Sequence, residues 1–364
     1  MNYLLLAPFA LALLSATIAT AGTSAHDYKV LPAITKSNLS LFPIVGGAEL
    51  NTAAFLTLDE GLRSGQVVIT ETGTTTTPLV RPSPHYPLPN PSGQVNRLAL
   101  LNNSDRPLLL LAGEVVTGGK QDRVIGVDGI VPPKSEPVDL SVFCVEPGRW
   151  VASSQRFASL GSAMAQPSVR RPAMAARDQQ QVWNGVRLAS REFAAAAPAA
   201  SAALAGTSSY ATVMQNPEVE KRVAFVAADY DGLLRELRKV GAKGVVVAIN
   251  GQITWADVFA STSLLEKYWQ KLIRSYAAES LTNAGSSGDV DQKQAQAFLD
   301  LLQGTREVTE TEPGVFRRTE ISGDGYKVFT LSSLLPKAEY TVHMAKMSYE
   351  QTASRNVRPL LRRP

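Results

Sequence analysis

Between two apolar runs, Leu108 to Leu111 and Val124 to Val131, the chain carries Gly-Glu-Val-Val-Thr-Gly-Gly-Lys-Gln-Asp-Arg at positions 113–123. Glycine accepts positive φ at little steric cost, so Gly118-Gly119 can form a two-residue hairpin turn. Such a turn pairs residues outward with a constant index sum. Thr117 then faces Lys120, Val116 faces Gln121, Val115 faces Asp122 and Glu114 faces Arg123. Strand alternation places Glu114, Val116, Gln121 and Arg123 on one face, with a carboxylate directly opposite a guanidinium.

Two readings of that pair stay open. An exposed cross-strand ion pair contributes only about 0.2–1 kcal/mol. On a half-buried face the pair is different, because Arg123 cannot shed its charge and needs its partner. Donors at Lys120, Gln121 and Arg123 would then clamp an anionic or carbonyl oxygen, with Glu114 orienting Arg123. Gly113, Gly118 and Gly119 would let backbone N–H groups approach the same oxygen.

A second cluster, Cys144-Val145-Glu146-Pro147-Gly148-Arg149-Trp150, ends a strand whose one face is Val138, Leu140, Val142, Cys144 and Glu146. Cys144 among apolar neighbours reads as a buried core thiol. Glu146 closes that face as a carboxylate that is either solvated or has a raised pKa. Glu114 and Glu146 form an acid–base pair if they share a cleft, with Arg149 and Trp150 beside them and Trp150 as a stacking wall. His343 lies on an expected strand and reads as a satisfied core histidine, whereas His85 sits in a proline-rich loop.

Composition narrows the function classes. Of 364 residues, 45% are apolar and 19% charged, which is the profile of a globular chain. The net charge of +4 is concentrated at the end, where Arg355, Arg358, Arg362 and Arg363 fall within the last ten residues. The body is therefore near neutral and lacks the basic stripe of a nucleic-acid binder. A single cysteine excludes an intramolecular disulfide, and the three histidines, His26, His85 and His343, have no metal-ligand spacing. No metal and no cofactor is expected.

The first residues have the pattern of an export signal. Leu4 to Leu14 is an apolar core, and Ala19-Thr20-Ala21 supplies a small-x-small cleavage site. Residues 1–21 are read as a signal peptide, which makes the chain periplasmic or secreted. The alternative is an N-terminal membrane anchor, since Tyr3 to Ala21 is nearly long enough to span. No other segment is long and apolar enough, so no stable span is expected after cleavage.

The remainder reads as α+β, with a β-rich N-terminal half and an α/β C-terminal half. Residues 30–150 form the β-rich part that carries the glycine motif. Thr57 and Glu60 make a capping box for a short helix. Residues 151–215 are a helical excursion with an Ala-rich linker, in which Asp178 to Phe193 can form a helix and Ala/Ser-rich Ala194 to Ser209 is a flexible linker or an exposed helical excursion. Residues 216–347 hold a helix over Asp229 to Val240 stopped by Gly241, then a strand Gly244 to Ile249 and an Asn250-Gly251 hairpin. A helix capped by Ser263 and Glu266 follows, with Leu264, Leu265, Tyr268, Trp269, Leu272, Ile273 and Tyr276 as a core-packing stripe. A hairpin at Gly323-Asp324-Gly325 and a strand Glu339 to Met347 close the fold, and residues 348–364 are a basic tail.

The run 111–123, then Val-Pro-Pro at 131–133, then Phe-Cys-Val-Glu-Pro-Gly-Arg-Trp at 143–150, resembles the ARG and rhodanese-phosphatase-superfamily-associated protein domain family. The resemblance continues through Gln181-Val182-Trp183 and Gly244 to Tyr276, covering roughly residues 35–285. The family has no established activity. Its association with ADP-ribosylglycohydrolase and rhodanese-phosphatase modules implies a nucleotide or ADP-ribose-linked ligand. The expected function is an exported binding module for a small anionic, nucleotide-like or sugar-phosphate-like ligand. The alternatives are a metal-independent hydrolase using Glu114 and Glu146, and a secreted interaction protein without a small-molecule site. Oligomeric state does not follow from the sequence.

Overall fold

The computed structural model describes residues 27–72, 97–149, 152–283, 285, 288–335 and 339–349. The signal segment 1–21, His26, His85, Trp150 and positions 350–364 of the basic tail lie outside the described residues, as does most of the proline loop.

The chain opens with β1 (Tyr28–Val30), β2 (Ile34–Lys36), β3 (Leu39–Gly46) and β4 (Leu56–Thr57). The capping box forms as expected at α1 (Leu58–Arg63). Thr57 Oγ1 accepts from the Glu60 amide at 3.3 Å, and Glu60 Oε2 accepts from the Thr57 amide at 2.9 Å. β5 (Val67–Glu71), β6 (Arg97–Asn102), β7 (Leu108–Leu110), β8 (Glu114–Thr117), β9 (Arg123–Ile125), β10 (Gly129–Val131), β11 (Val138–Cys144) and β12 (Ala158–Met164) follow.

Helices take over next. α2 (Pro167–Arg171) runs into a π-helical turn, Pro172–Ala176, and α3 (Gln179–Ala196) starts from an Asp178 cap. Ala194 to Ser209 follows the helical of its two readings, with part of it buried. It completes α3, makes a 3-10 turn at Pro198–Ala200 and forms α4 (Ser201–Ala205). Burying Ala197, Ala200 and Leu204 in the main core outweighs the low complexity of this stretch. α5 (Tyr210–Met214), α6 (Pro217–Ala228) and α7 (Leu233–Lys239) come next. α7 starts four residues later than the pattern predicts, and Gly241 at φ +64° ends its turn.

β13 (Gly244–Ile249) has the predicted limits. Asn250 (φ +52°) and Gly251 (φ +75°) turn the chain into β14 (Gln252–Phe259). The chain ends through α8 (Thr262–Thr282), α9 (Gln292–Asp300), β15 (Arg306–Glu312), β16 (Phe316–Gly323), β17 (Tyr326–Ser333) and β18 (Tyr340–Ser348). The cap of α8 is Ser261, whose Oγ accepts from the Leu264 amide at 3.0 Å, and not Ser263. Asp324-Gly325 makes the last tight turn, with Gly323 paired to Tyr326.

The fold is α+β, with strands concentrated in the N-terminal half and helices in the middle and C-terminal part. The sheets have nine strands (β1-β3-β13-β14-β18-β17-β16-β15, with β2 on β3), six strands (β12-β8-β9-β11-β6-β5) and three strands (β10-β7-β4). β3 pairs with β13, so the first and last parts of the chain share a sheet. One apolar core runs from Leu39 and Leu41 through Val115, Val186 and Leu272 to Met347. α8 crosses it with the predicted stripe buried, and Tyr268 and Trp269 are each 1% exposed.

Candidate functional site

The glycine motif forms a wider loop than a two-residue hairpin. The observed pairs are Val115 with Val124 and Val116 with Arg123, so the register is displaced by two and residues 118–122 leave the ladder. Glu114 therefore does not face Arg123. The displacement follows from what holds the loop. Lys120 N–H donates to Glu71 Oε1 at 2.7 Å, Gly118 N–H to Asp122 Oδ1 at 3.0 Å, and Asp122 N–H to Glu146 Oε2 at 3.1 Å. Of the three glycine N–H groups that the sequence offers to an anion, that of Gly118 is taken by this carboxylate of Asp122, that of Gly119 donates to Ser154 Oγ at 3.2 Å and that of Gly113 to Ile125 O at 2.8 Å.

Arg149 clamps this loop. Its Nη1 donates to Gly119 O at 2.9 Å, and its Nη2 lies 2.6 Å from Glu146 Oε2 and 3.2 Å from Asp122 Oδ1. Ser209 Oγ donates to Asp122 Oδ2 at 3.0 Å, and Gln121 Nε2 donates to Glu146 O at 3.2 Å. Arg123, 1% exposed, has its guanidinium 3.9 Å from Glu71. Burial lowers its pKa, and burial together with Glu146 raises that of Asp122. The hydrogen bond to Glu146 raises that of Arg149. The glycines are needed for close packing. A Cβ on Gly119 would lie 2.3 Å from the Phe157 ring and 2.6 Å from Glu71 Oε1, and one on Gly118 would lie 2.5 Å from Ser154 Oγ.

Thus Gly118, Gly119, Lys120, Gln121, Arg123, Glu146 and Arg149 come together, with Cys144 beneath. Cys144 is buried, its Sγ accepts from the Glu146 amide at 3.4 Å, and burial pushes the thiol pKa up. Glu114 and Gly113 belong elsewhere. Glu114 is fully buried, with Lys271 Nζ of α8 2.5 Å from its Oε1 and the Leu111 amide donating to its Oε2 at 2.9 Å. Lys271 also reaches Asp59, at 2.8 Å. One ammonium thus serves two carboxylates. Burial and the Asp59 charge raise Glu114, while Glu114 and Asp59 overcome burial to raise Lys271. Gly113 packs on Arg170, whose Cγ would be 2.5 Å from an added Cβ. Glu114 and Glu146 have no partner in common among these contacts.

Sequence reasoning did not foresee the charged network in the core. His343 is satisfied as expected, but by two carboxylates, with Nδ1 2.6 Å from Asp128 Oδ2 and Nε2 3.1 Å from Asp257 Oδ1. Asp257 also pairs with Arg170 at 3.2 Å and accepts from Tyr276 Oη. Arg170 Nε donates to Ala112 O at 3.1 Å, and the Ala112 amide donates to Asp128 Oδ1 at 2.7 Å. Burial alone would raise Asp257; Arg170 and then His343 hold it far below the usual carboxylate range. Asp257 inside the apolar run Trp255 to Phe259, and Lys271, Ser275 and Glu279 at four-residue spacing on α8, are the signals that mark buried charge. Nothing comparable marks Arg170. Among the described residues no group of His, Cys, Asp and Glu is placed to hold a metal ion, and no helix is long and apolar enough to cross a membrane.

The pattern of the ARG and Rhodanese-Phosphatase-superfamily-associated Protein domain, ARPP-1, matches residues 27–347. The chain belongs to this family. The ARPP-1 match extends past Tyr276 to the last strand, so β15 to β18 are part of the domain. No curated protein and no solved structure matches the chain.

Proposed function

We propose that this ARPP-1 domain is an exported binding module for a small ligand with both hydroxyl and anionic groups, of the sugar-phosphate or ADP-ribose type, received at the Gly118–Arg149 loop. The observation that carries this reading is Gln121. Its side chain is buried, its Nε2 is bonded, and its Oε1 has no partner among the described residues. A buried acceptor left open in an otherwise bonded cluster calls for a donor, and a sugar hydroxyl supplies one. Partly exposed Lys120 and Arg149 place positive charge at the rim, where an anionic group would compete with Glu146 and Asp122.

No observation favours the hydrolase alternative, because Glu114 and Glu146 are each held in a different charge cluster. A thermal-shift titration with ADP-ribose and ribose 5-phosphate tests the proposal. Stabilisation is expected in the parent chain and in Arg358→Ala, and its loss is expected in Gln121→Leu. A folded Gln121→Leu protein that keeps the full shift would refute it, as would a parent protein that neither compound shifts. The export component predicts that the N terminus of the mature chain, read by mass spectrometry, starts after Ala21.

A further inference from the structure

We propose a second ligand site, for a small organic carboxylate with a compact apolar body, in the cleft between the β9–β10 turn, the π-helical turn and the β15–β17 ladder. The cleft is separate from the Gly118–Arg149 loop and lies at the other end of β9. Its walls are Gly126, Val127 and Asp128 on one side, Met174 and Arg177 on the second, and strand residues including Val308, Arg318 and Phe329 on the third.

The backbone is shaped to present Arg177. The π-helical turn ends on this residue at φ +50°, ψ +40°, a left-handed conformation that costs a non-glycine residue about 1 kcal/mol or more. π-turns and residues held in left-handed conformations gather at ligand sites. Lys327 ties the turn to β17, with Nζ donating to Ala175 O at 3.1 Å. Held this way, Arg177 lines the cleft with its guanidinium 3.3 Å from Glu320 and 3.8 Å from Glu310.

Arg177 and Arg318 line the cleft with Glu310 and Glu320, and their charges balance. Asp128 adds nothing to the acidic side, because its carboxylate is turned inward and taken by His343 and the Ala112 amide. What suits the cleft to an anion is an open donor on Arg318. Its Nη1 donates to Asp128 O at 3.2 Å and its Nη2 to Glu310 at 2.7 Å, while its Nε is buried without a partner among the described residues. The guanidinium is fixed over the Phe316 ring, 5.2 Å from the centroid. An incoming carboxylate accepts from Arg318 Nε and from Arg177, which exchanges a contact with Glu310 for it. Met174, Val308 and Phe329 supply the apolar surface for the body of the ligand.

Calorimetric titration of the full chain with benzoate, its neutral isostere benzamide and inorganic phosphate tests the site. Benzoate is expected to saturate at one equivalent, and benzamide to bind at least about tenfold more weakly. Arg177→Gln and Arg318→Met should each weaken benzoate about tenfold or more, and exposed Lys239→Gln should leave it unchanged. Arg177 is half exposed, so its variant decides the matter if Arg318→Met fails to fold. The proposal is overturned by the absence of saturable benzoate binding, by benzamide binding as tightly as benzoate, or by undiminished binding to Arg177→Gln. Saturation by phosphate alone would overturn it in favour of an inorganic-anion site.

Discussion

His343 is buried between Asp128 and Asp257, with Arg170 and Tyr276 on the far side of Asp257. Burial alone would lower its pKa, but Asp128 and then Asp257 raise it from 6.5 to about 9. The folded chain therefore binds a proton that the unfolded chain has released between those two values. The stability contributed is fully present below 6.5 and is lost as pH rises through 9. Its size is roughly 3 kcal/mol. Lys346 has the opposite sign. Burial lowers it from 10.5 to about 7, so between those values the unfolded chain holds the extra proton and stability rises with pH. The two groups oppose each other between about 7 and 9. In urea unfolding, His343→Gln should lose more relative to the parent at about pH 6 than at about pH 10, by roughly 3 kcal/mol. A gap that does not change with pH would show that the ring is neutral in the folded chain.

Elements announced themselves in the sequence wherever a local signal was enough. The continuous apolar run Gly244 to Ile249, the Asn250-Gly251 turn and the Thr57–Glu60 box all depend on residues a few positions apart, and all three formed where expected. The glycine motif did not, because its geometry is set from a distance. Glu71 reaches across 49 positions to take the Lys120 amide, and Arg149 binds two successive carbonyls of the loop. The two clusters were legible as clusters from residue type and spacing, but the contacts of the glycine loop with Glu146 and Arg149, 24 and 31 positions apart, were not. Nor was the detachment of Glu114, since Lys271 sits 157 positions away. The start of α8 gives a test at this scale. Ser261→Ala should cost about 1 kcal/mol in chemical denaturation, the usual value of an N-cap, and Ser263→Ala less than about 0.5 kcal/mol. Equal costs would return the cap to Ser263.

At the scale of the molecule, the β-rich segment 30–150 and the segment 216–347 are not separable in packing. β1 to β3 extend the sheet built by β13 to β18, and Glu114 of β8 is neutralised from α8. Segments 27–150 and 216–347 produced apart should each lack a cooperative thermal transition, and mixing them should not match the intact chain without α2 to α5. A cooperative transition in either one alone would contradict a shared core. The pairing of Ile44 with Gly244 joins residues about two hundred positions apart, with strand partners for β3 supplied late in synthesis. Early-made strands must wait for their neighbours, so completion of the native sheet is postponed until nearly the whole polypeptide has left the ribosome. Under the export proposed above, a chain built this way stays threadable for longer, which is the state a translocation channel requires.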